Sequence, residues 1–332
     1  MKRSKIIVIA CLSIFLSLAF TFFFTYSCKR KKNNEGPISP PKKLLQAKVG
    51  YLPMVTNLTH FVAEEKKFYE KYGVKVEGER INTSNLLAQE VAAGHINVAI
   101  ELAVNPLVNI LSQNPDAARV FSISKITKDG GFDGVIVRAD SDIKSISDLA
   151  GKKVAVFPGT TAAKFFNEVF KAECPGKIDP EFLPMSPNLH LQELETKRVD
   201  AVHAYEPYLT MGIVKKGFRQ IAPSIYALNF SPSPIGVAAI NTAWKKANSG
   251  AAEAVLKALD EAVIFIRTNP EQAREILARS NQIEPEVAKQ MNIMPMSTTK
   301  EIDKEHLQKF LIRLKDMNEI DYVPKIDELV LQ

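Results

Sequence analysis

From Gln46 onward the sequence alternates short β-branched runs with amphipathic stretches, and this alternation most constrains the fold. "AKVGYL" predicts a strand. "LTHFVAEEKKFYEKYG" predicts a helix, with Phe61, Val62, Phe68 and Tyr69 along one side and Gly73 as its stop. "VKVEGER", "NVAIELA", "ARVFSISKIT" and "FDGVIVR" read as further strands, with helices at "TSNLLAQEVAAGHI" and "NPLVNILSQN" between them. A second series follows "ADSDIKSISDLAG". It contains the strands "KKVAVF", "EFLPMS", "VDAVHAY" and "SPIGVAAINTA", and the helices "TTAAKFFNEVFKA", "PNLHLQELETKR" and "EPYLTMGIVKKG". Strand–helix–strand order repeated in this way predicts an α/β architecture of parallel sheets with helices on both faces. Residues 241–332 are helical in pattern almost throughout.

Two α/β series imply two lobes. The first lobe is expected to begin over 46–135, the second to occupy 136–230, and 231–332 to return to the first lobe and add the C-terminal helices. "FDGVIVRAD" would lead across and "NFSPSPIGVAAI" would lead back. Two crossings make a hinge, and a hinge makes a cleft that can close.

Charge is distributed unevenly. Residues 1–43 hold nine of the 43 Lys/Arg and one of the 37 Asp/Glu, which leaves 34 basic and 36 acidic residues for the body. The body is therefore slightly acidic, which argues against nucleic acid as a partner. "MKRSK" followed by "IIVIACLSIFLSLAFTFFFTY" and "SCKRKK" reads as an export signal over 1–27. Small Ser27 before Cys28 resembles the bacterial lipobox, although Thr25 and Tyr26 depart from it. That resemblance implies a lipid on Cys28, a flexible tether over 28–45 rich in Pro and charge, and a body held at the periplasmic face of a bacterial membrane. The apolar run is also long enough to remain as an uncleaved anchor. Cys11 lies in the signal and Cys174 stands alone in the body, so the body has no pair from which to build a disulfide.

In open α/β sheets, ligands gather at the carboxyl ends of the strands. Those positions hold Asn57, Thr59 and His60; Asn82, Thr83, Ser84 and Asn85; Glu101 and Asn105; Gly159, Thr160 and Thr161; and Tyr205 and Glu206, while Asp133 stands before the crossing strand and the return crossing offers Asn229 and Ser231. The set is rich in hydroxyls and amides and short of cations, which suits a small polar ligand. The "VFPGTT" corner delivers a strand straight into a helix N-terminus, where backbone N–H groups are free. Thr160 and Thr161 serve equally well as plain N-caps. His203 sits inside a strand pattern and reads as packed. The five histidines (60, 95, 190, 203 and 306) lack metal-ligand spacing, and no nucleophile elbow or phosphate loop is present in the sequence. No catalytic residue, metal or cofactor is expected.

The chain resembles the solute-binding proteins of ABC importers for nitrate, sulfonates, taurine and thiamine-pyrimidine precursors. "VGYLPMVTNLTHFVAEEKKFYEKYGVKV", "LLAQEVAAGHINVAI", "ISDLAGKKVAVFPGTT" and "ELETKRVDAVHAYEPY" carry the resemblance. It implies a two-lobe periplasmic-binding architecture of type II, a monomeric receptor, a permease partner and no enzymatic activity. Its ligand would be contacted from Asn57–His60, Thr83–Asn85, Glu101, Gly159–Thr161 and Tyr205–Glu206. Oxyanion binders of this group usually add a Lys or His to the pocket, and here only His60 is available. Glu101, Asp133 and Glu206 supply negative charge instead, which favours an amine, ring nitrogens or a zwitterion such as an aminosulfonate. An enzyme on the same fold, acting on a small pyrimidine or carboxylate, and a receptor that feeds a sensor are the alternative readings.

Overall fold

The computed structural model describes residues 44–332. The proposed signal, Cys28 and most of the tether lie outside the described residues.

Two five-stranded sheets form the body. The first has the order β2-β1-β3-β10-β4, built from β1 (Leu45–Tyr51), β2 (Val74–Arg80), β3 (Val98–Ala103), β4 (Ala118–Ile123) and β10 (Gly236–Asn241). The second has the order β7-β6-β8-β5-β9, built from β5 (Asp133–Val137), β6 (Lys153–Val156), β7 (Glu181–Pro184), β8 (Ala201–Tyr205) and β9 (Arg219–Ala222). The second sheet thus begins at Asp133, ahead of the limit at 136 expected from the sequence.

The sheets are mixed, which corrects the expectation of parallel ones. β1 runs parallel to β2 and β3, and β6 runs parallel to β7 and β8. The two crossing strands run the other way: β10 is antiparallel to β3 and β4, and β5 is antiparallel to β8 and β9. Each enters its sheet from the hinge side, so it must oppose the strands that leave toward the hinge. Both are buried along their whole length, and a fully apolar run carries no sign of its direction. β9 and the short helix after it were not anticipated from the sequence.

Labelled in chain order, the helices that matter for the cleft are α1 (Leu58–Glu65), α2 (Ser84–Ala93), α3 (Val104–Leu111), α4 (Thr161–Glu173), α5 (Pro187–Glu195), α6 (Tyr208–Lys216), α7 (Ile225–Asn229), α8 (Ser249–Thr268), α9 (Pro270–Asn281) and α10 (Lys304–Asp316). The helix expected over 58–73 breaks at Lys67, whose φ of 57° lies in the left-handed region, and a short second helix (Phe68–Lys71) follows. α4 buries Ala162, Phe165, Phe166, Val169 and Phe170, the apolar face read from its spacing. The Phe310 ring of α10 lies 6.4 Å from that of Phe165, so the C-terminal region also covers the second sheet.

Residues 241–332 are less helical than expected, because an extended stretch separates α10 from the preceding helices. That stretch secures the hinge. The Ser122 hydroxyl donates to the Ser297 carbonyl (2.6 Å), and the Ser297 hydroxyl accepts from the Ile123 N–H (2.9 Å). The two crossings also pair with each other at Ile126 and Ser233. Buried polar groups satisfied in this way hold two chain segments side by side without a regular sheet.

Candidate functional site

The carboxyl ends of β1, β3, β6 and β8 open onto one cavity of about 1130 Å³ between the two sheets. From the first lobe it is lined by the loop after β1, by Asn82–Asn85 and by Glu101 and Asn105. From the second it is lined by Phe157–Thr161, Ser186–Asn188 and Tyr205–Tyr208. Asn281, Met294 and Glu319 close it from the C-terminal region.

Of the expected contact residues, Thr83, Ser84, Asn85, Glu101, Gly159, Thr160, Thr161, Tyr205 and Glu206 line this cavity. Thr83 also caps α2 by accepting from the Leu86 N–H (3.2 Å), and the Ser84 hydroxyl accepts from the Ala103 N–H (3.2 Å). Gly159 has a φ of 96°, a conformation in which a side chain would be strained. Thr160 precedes α4 without capping it through its side chain, so its hydroxyl is not committed to the helix end.

Four expected residues face elsewhere. His60 is buried against Tyr51, with ring centroids 5.0 Å apart, and its Nδ1 lies 3.1 Å from the Tyr69 hydroxyl. Burial lowers its pKa to about 4, so it is a neutral core residue at neutral pH. Asp133 is buried under the second sheet, where it accepts from the Ser224 hydroxyl (2.5 Å) and the Ile225 N–H (2.9 Å) and meets His203 Nε2 at 2.7 Å. It fixes α7 to β5. Asn57 donates to the Leu52 carbonyl (3.2 Å) and pairs with Asn281, which itself lines the cavity in front of it. Thr59 borders a separate small pocket with Asn292 and Met296. Asn229 and Ser231 are also absent from the cavity wall, and Asn229 instead accepts from Arg313 (3.3 Å). His203 is packed, as its strand pattern implied.

Three acids face the cavity in three different conditions. Glu319, which the sequence did not single out, accepts from the Thr161 hydroxyl (2.6 Å) and from Asn105 Nδ2 (3.0 Å), and meets Lys164 at 2.8 Å. Glu206 accepts from the Thr210 hydroxyl (2.8 Å), the Thr210 N–H (3.1 Å) and the Asn292 N–H (3.2 Å). Burial raises its pKa to about 7, against the pull of those bonds. Glu101 is 4 % exposed, and neither of its carboxylate oxygens has a partner. Burial pushes its pKa well above the carboxylate range. Its φ of 55° is a backbone strain that a non-glycine residue rarely carries.

An aromatic wall completes the cavity. Phe132, Phe157, Tyr205 and Tyr226 all line it. The Tyr205 ring lies 5.4 Å from both Phe132 and Phe157, and its hydroxyl meets that of Tyr226 at 2.9 Å. Phe157 lies in the strand-to-helix corner already singled out. Phe132 and Tyr226 gave no signal, because aromatic residues next to buried strands ordinarily belong to the core.

Two α/β lobes joined by a double crossing, with a cavity at their strand ends, define the periplasmic-binding fold. The chain belongs to the NMT1/THI5-like family, whose model matches residues 56–273. A protein of Bacillus subtilis (strain 168), provisionally named an aliphatic sulfonates-binding protein, is 21% identical over 251 residues, or 74% of this chain and 73% of its own length. Among solved structures, the periplasmic aliphatic sulphonate binding protein SsuA from Escherichia coli superposes with a TM-score of 0.70 at 16% identity, covering 88% of this chain and 98% of that one. The periplasmic nitrate-binding protein NrtA from Synechocystis PCC 6803 gives a TM-score of 0.62 at 18% identity, covering 87% and 86%. These likenesses establish the fold. Among the described residues, no helix is long and apolar enough to cross a membrane, and no group of His, Cys, Asp and Glu is arranged to hold a metal ion.

Proposed function

We propose that the chain is an extracytoplasmic solute receptor, which captures one small polar compound between its lobes and delivers it to the permease of an ABC importer. The observation that carries this reading is the cavity of about 1130 Å³ between two sheets joined by a paired double crossing. Its size suits a metabolite, and its walls come from both lobes, so lobe closure would bury the ligand. The sulfonate- and nitrate-binding proteins of the same fold support a role in import. The residues that would contact the ligand are Thr83, Ser84, Asn85 and Glu101 from one lobe, and Gly159, Thr160, Thr161, Tyr205 and Glu206 from the other, a reading supported by their all lining the cavity. The receptor acts as a monomer, held to the membrane through a lipid on Cys28 after residues 1–27 are removed, and 28–45 act as its tether.

The test is to incubate the purified protein with the low-molecular-weight fraction of a bacterial culture and examine it by native mass spectrometry. A one-to-one complex from which the compound is released unchanged is the expected result. A protein that retains nothing, or one that returns a chemically altered compound, would overturn the receptor reading, the second outcome in favour of an enzyme on this fold.

A further inference from the structure

Apart from Glu319 Oε1, which Lys164 meets at 2.8 Å, four side-chain atoms among the described residues of the cavity wall are buried without a partner: Glu101 Oε1, Glu101 Oε2, Asn105 Oδ1 and the Thr56 hydroxyl. The carboxyl and amide oxygens are acceptors, and the hydroxyl can donate or accept. The orientation of Asn105 is fixed by its neighbour. Its Nδ2 donates to the Glu319 carboxylate at 3.0 Å, which an amide oxygen could not do, so its Oδ1 is the atom left over. A buried acid whose oxygens have no partner is a costly arrangement, and native structures rarely keep one without a use.

The surroundings preserve this condition. Gly236, at the start of β10, lies beside Ala103 of β3. A Cβ there would stand 2.9 Å from Glu101 Oε2, so only glycine leaves room for the carboxylate. The Ser124 hydroxyl, also beside Gly236, is already engaged, accepting from the Gly236 N–H (3.0 Å) and donating to the Ser233 carbonyl (3.1 Å). Lys164 is the one cation among the described residues of the cavity wall, and it is held by Glu319 at 2.8 Å. Glu206 and Glu319 have donors of their own, so Glu101 alone faces the cavity unmatched.

Resting on the receptor reading above, we propose that Glu101 is the specificity-determining residue for a ligand bearing a cationic nitrogen, an ammonium or amidinium group, whose N–H donors engage Glu101 and Asn105. A cation supplies what the wall lacks: a counter-charge for Glu101 and donors for the orphaned acceptors. The aromatic wall of Phe132, Phe157, Tyr205 and Tyr226 supplies apolar faces for the rest of such a molecule and adds cation–π attraction. A simple oxyanion would offer Glu101 and Asn105 Oδ1 only further acceptors.

The experiment compares the parent protein with Glu101→Gln after incubation with the same low-molecular-weight culture fraction, using native mass spectrometry and then titration of the identified compound. The substitution keeps the shape and removes the charge, and circular dichroism checks that the variant folds. The expected ligand carries an ammonium or amidinium nitrogen, and Glu101→Gln binds it at least about thirtyfold more weakly. A retained ligand with no such nitrogen overturns the assignment and leaves the receptor reading standing. Equal affinity in a folded Glu101→Gln also overturns it. A parent protein that retains no compound removes both the receptor reading and the assignment that rests on it. The identity of the parent's ligand decides the question even where the variant fails to fold.

Discussion

Glu206→Gln should change how the stability of the ligand-free protein depends on pH. Burial raises the Glu206 carboxyl from 4.5 to about 7 in the folded chain. Between those values the folded chain keeps a proton that the unfolded chain releases, so each rise in pH favours unfolding. The favourable contribution is complete below about pH 4.5 and is lost as pH climbs through about 7. At about 1.4 kcal/mol per unit, the whole span is worth about 3 kcal/mol. Other groups titrate over the same range. Burial lowers His60 and His190 to about 4, so they take up protons on unfolding and make stability rise with pH up to about 6.5. The buried Glu101 carboxyl acts in the same direction as Glu206. The parent profile is therefore a compensated sum, and only the difference between parent and variant isolates Glu206. Urea unfolding between about pH 5 and pH 7 should show the parent losing about 1.4 kcal/mol more per unit than Glu206→Gln. Parallel profiles would refute the reasoning, because they would mean that Glu206 titrates alike in the folded and unfolded chains.

Three further outcomes can be checked. Thr161→Val removes the hydroxyl that donates to Glu319 at 2.6 Å, and should lower the unfolding free energy of the ligand-free protein by about 1.5–3 kcal/mol, read by urea titration. Phe170→Ala empties a fully buried position on α4 and should lower stability by about 3–5 kcal/mol, with a matching fall in the urea midpoint. Cys28→Ser should abolish incorporation of labelled palmitate into the full chain, which gel autoradiography measures, and equal labelling of variant and parent would remove the lipid anchor from the account.

The parts of this molecule that could be read from sequence are those fixed by local periodicity. The apolar face of α4 and the β-branched runs announce themselves, because side chains repeat every 3.6 or two residues. Strand ends follow from strand positions, which is why Glu101, Thr161 and Tyr205 could be placed at the cleft. What could not be read depends on partners distant in the chain. Asp133 sits at a strand edge as a ligand contact would, yet Ser224, Ile225 and His203 claim it. His60 lies beside a cleft loop but turns inward to Tyr69. Glu319 reaches the cavity from a C-terminal turn whose local sequence carries no motif. The direction of β5 and β10 depends on how the chain crosses between lobes, and a uniformly buried run cannot show it.

The links between the lobes bear on how the cleft would work. Asn105 of α3 reaches Thr161 of α4 at 3.3 Å, the Asn292 N–H donates to Glu206 at 3.2 Å, and Lys215 of α6 meets Glu284 at 2.6 Å. The last pair is solvent-exposed, and such pairs contribute about 0–1 kcal/mol. Neutral hydrogen bonds contribute about 1 kcal/mol each. Each of these links is individually small. Glu101 stands apart from these links, buried in the first lobe beside Gly236 with neither oxygen paired. A ligand shifts the equilibrium between open and closed lobes only by the difference in its affinity for the two states. A cation held by Glu101 of the first lobe would gain that difference from the second, because only closure brings the lining residues of both lobes, Phe157 and Tyr205 among them, onto the same molecule.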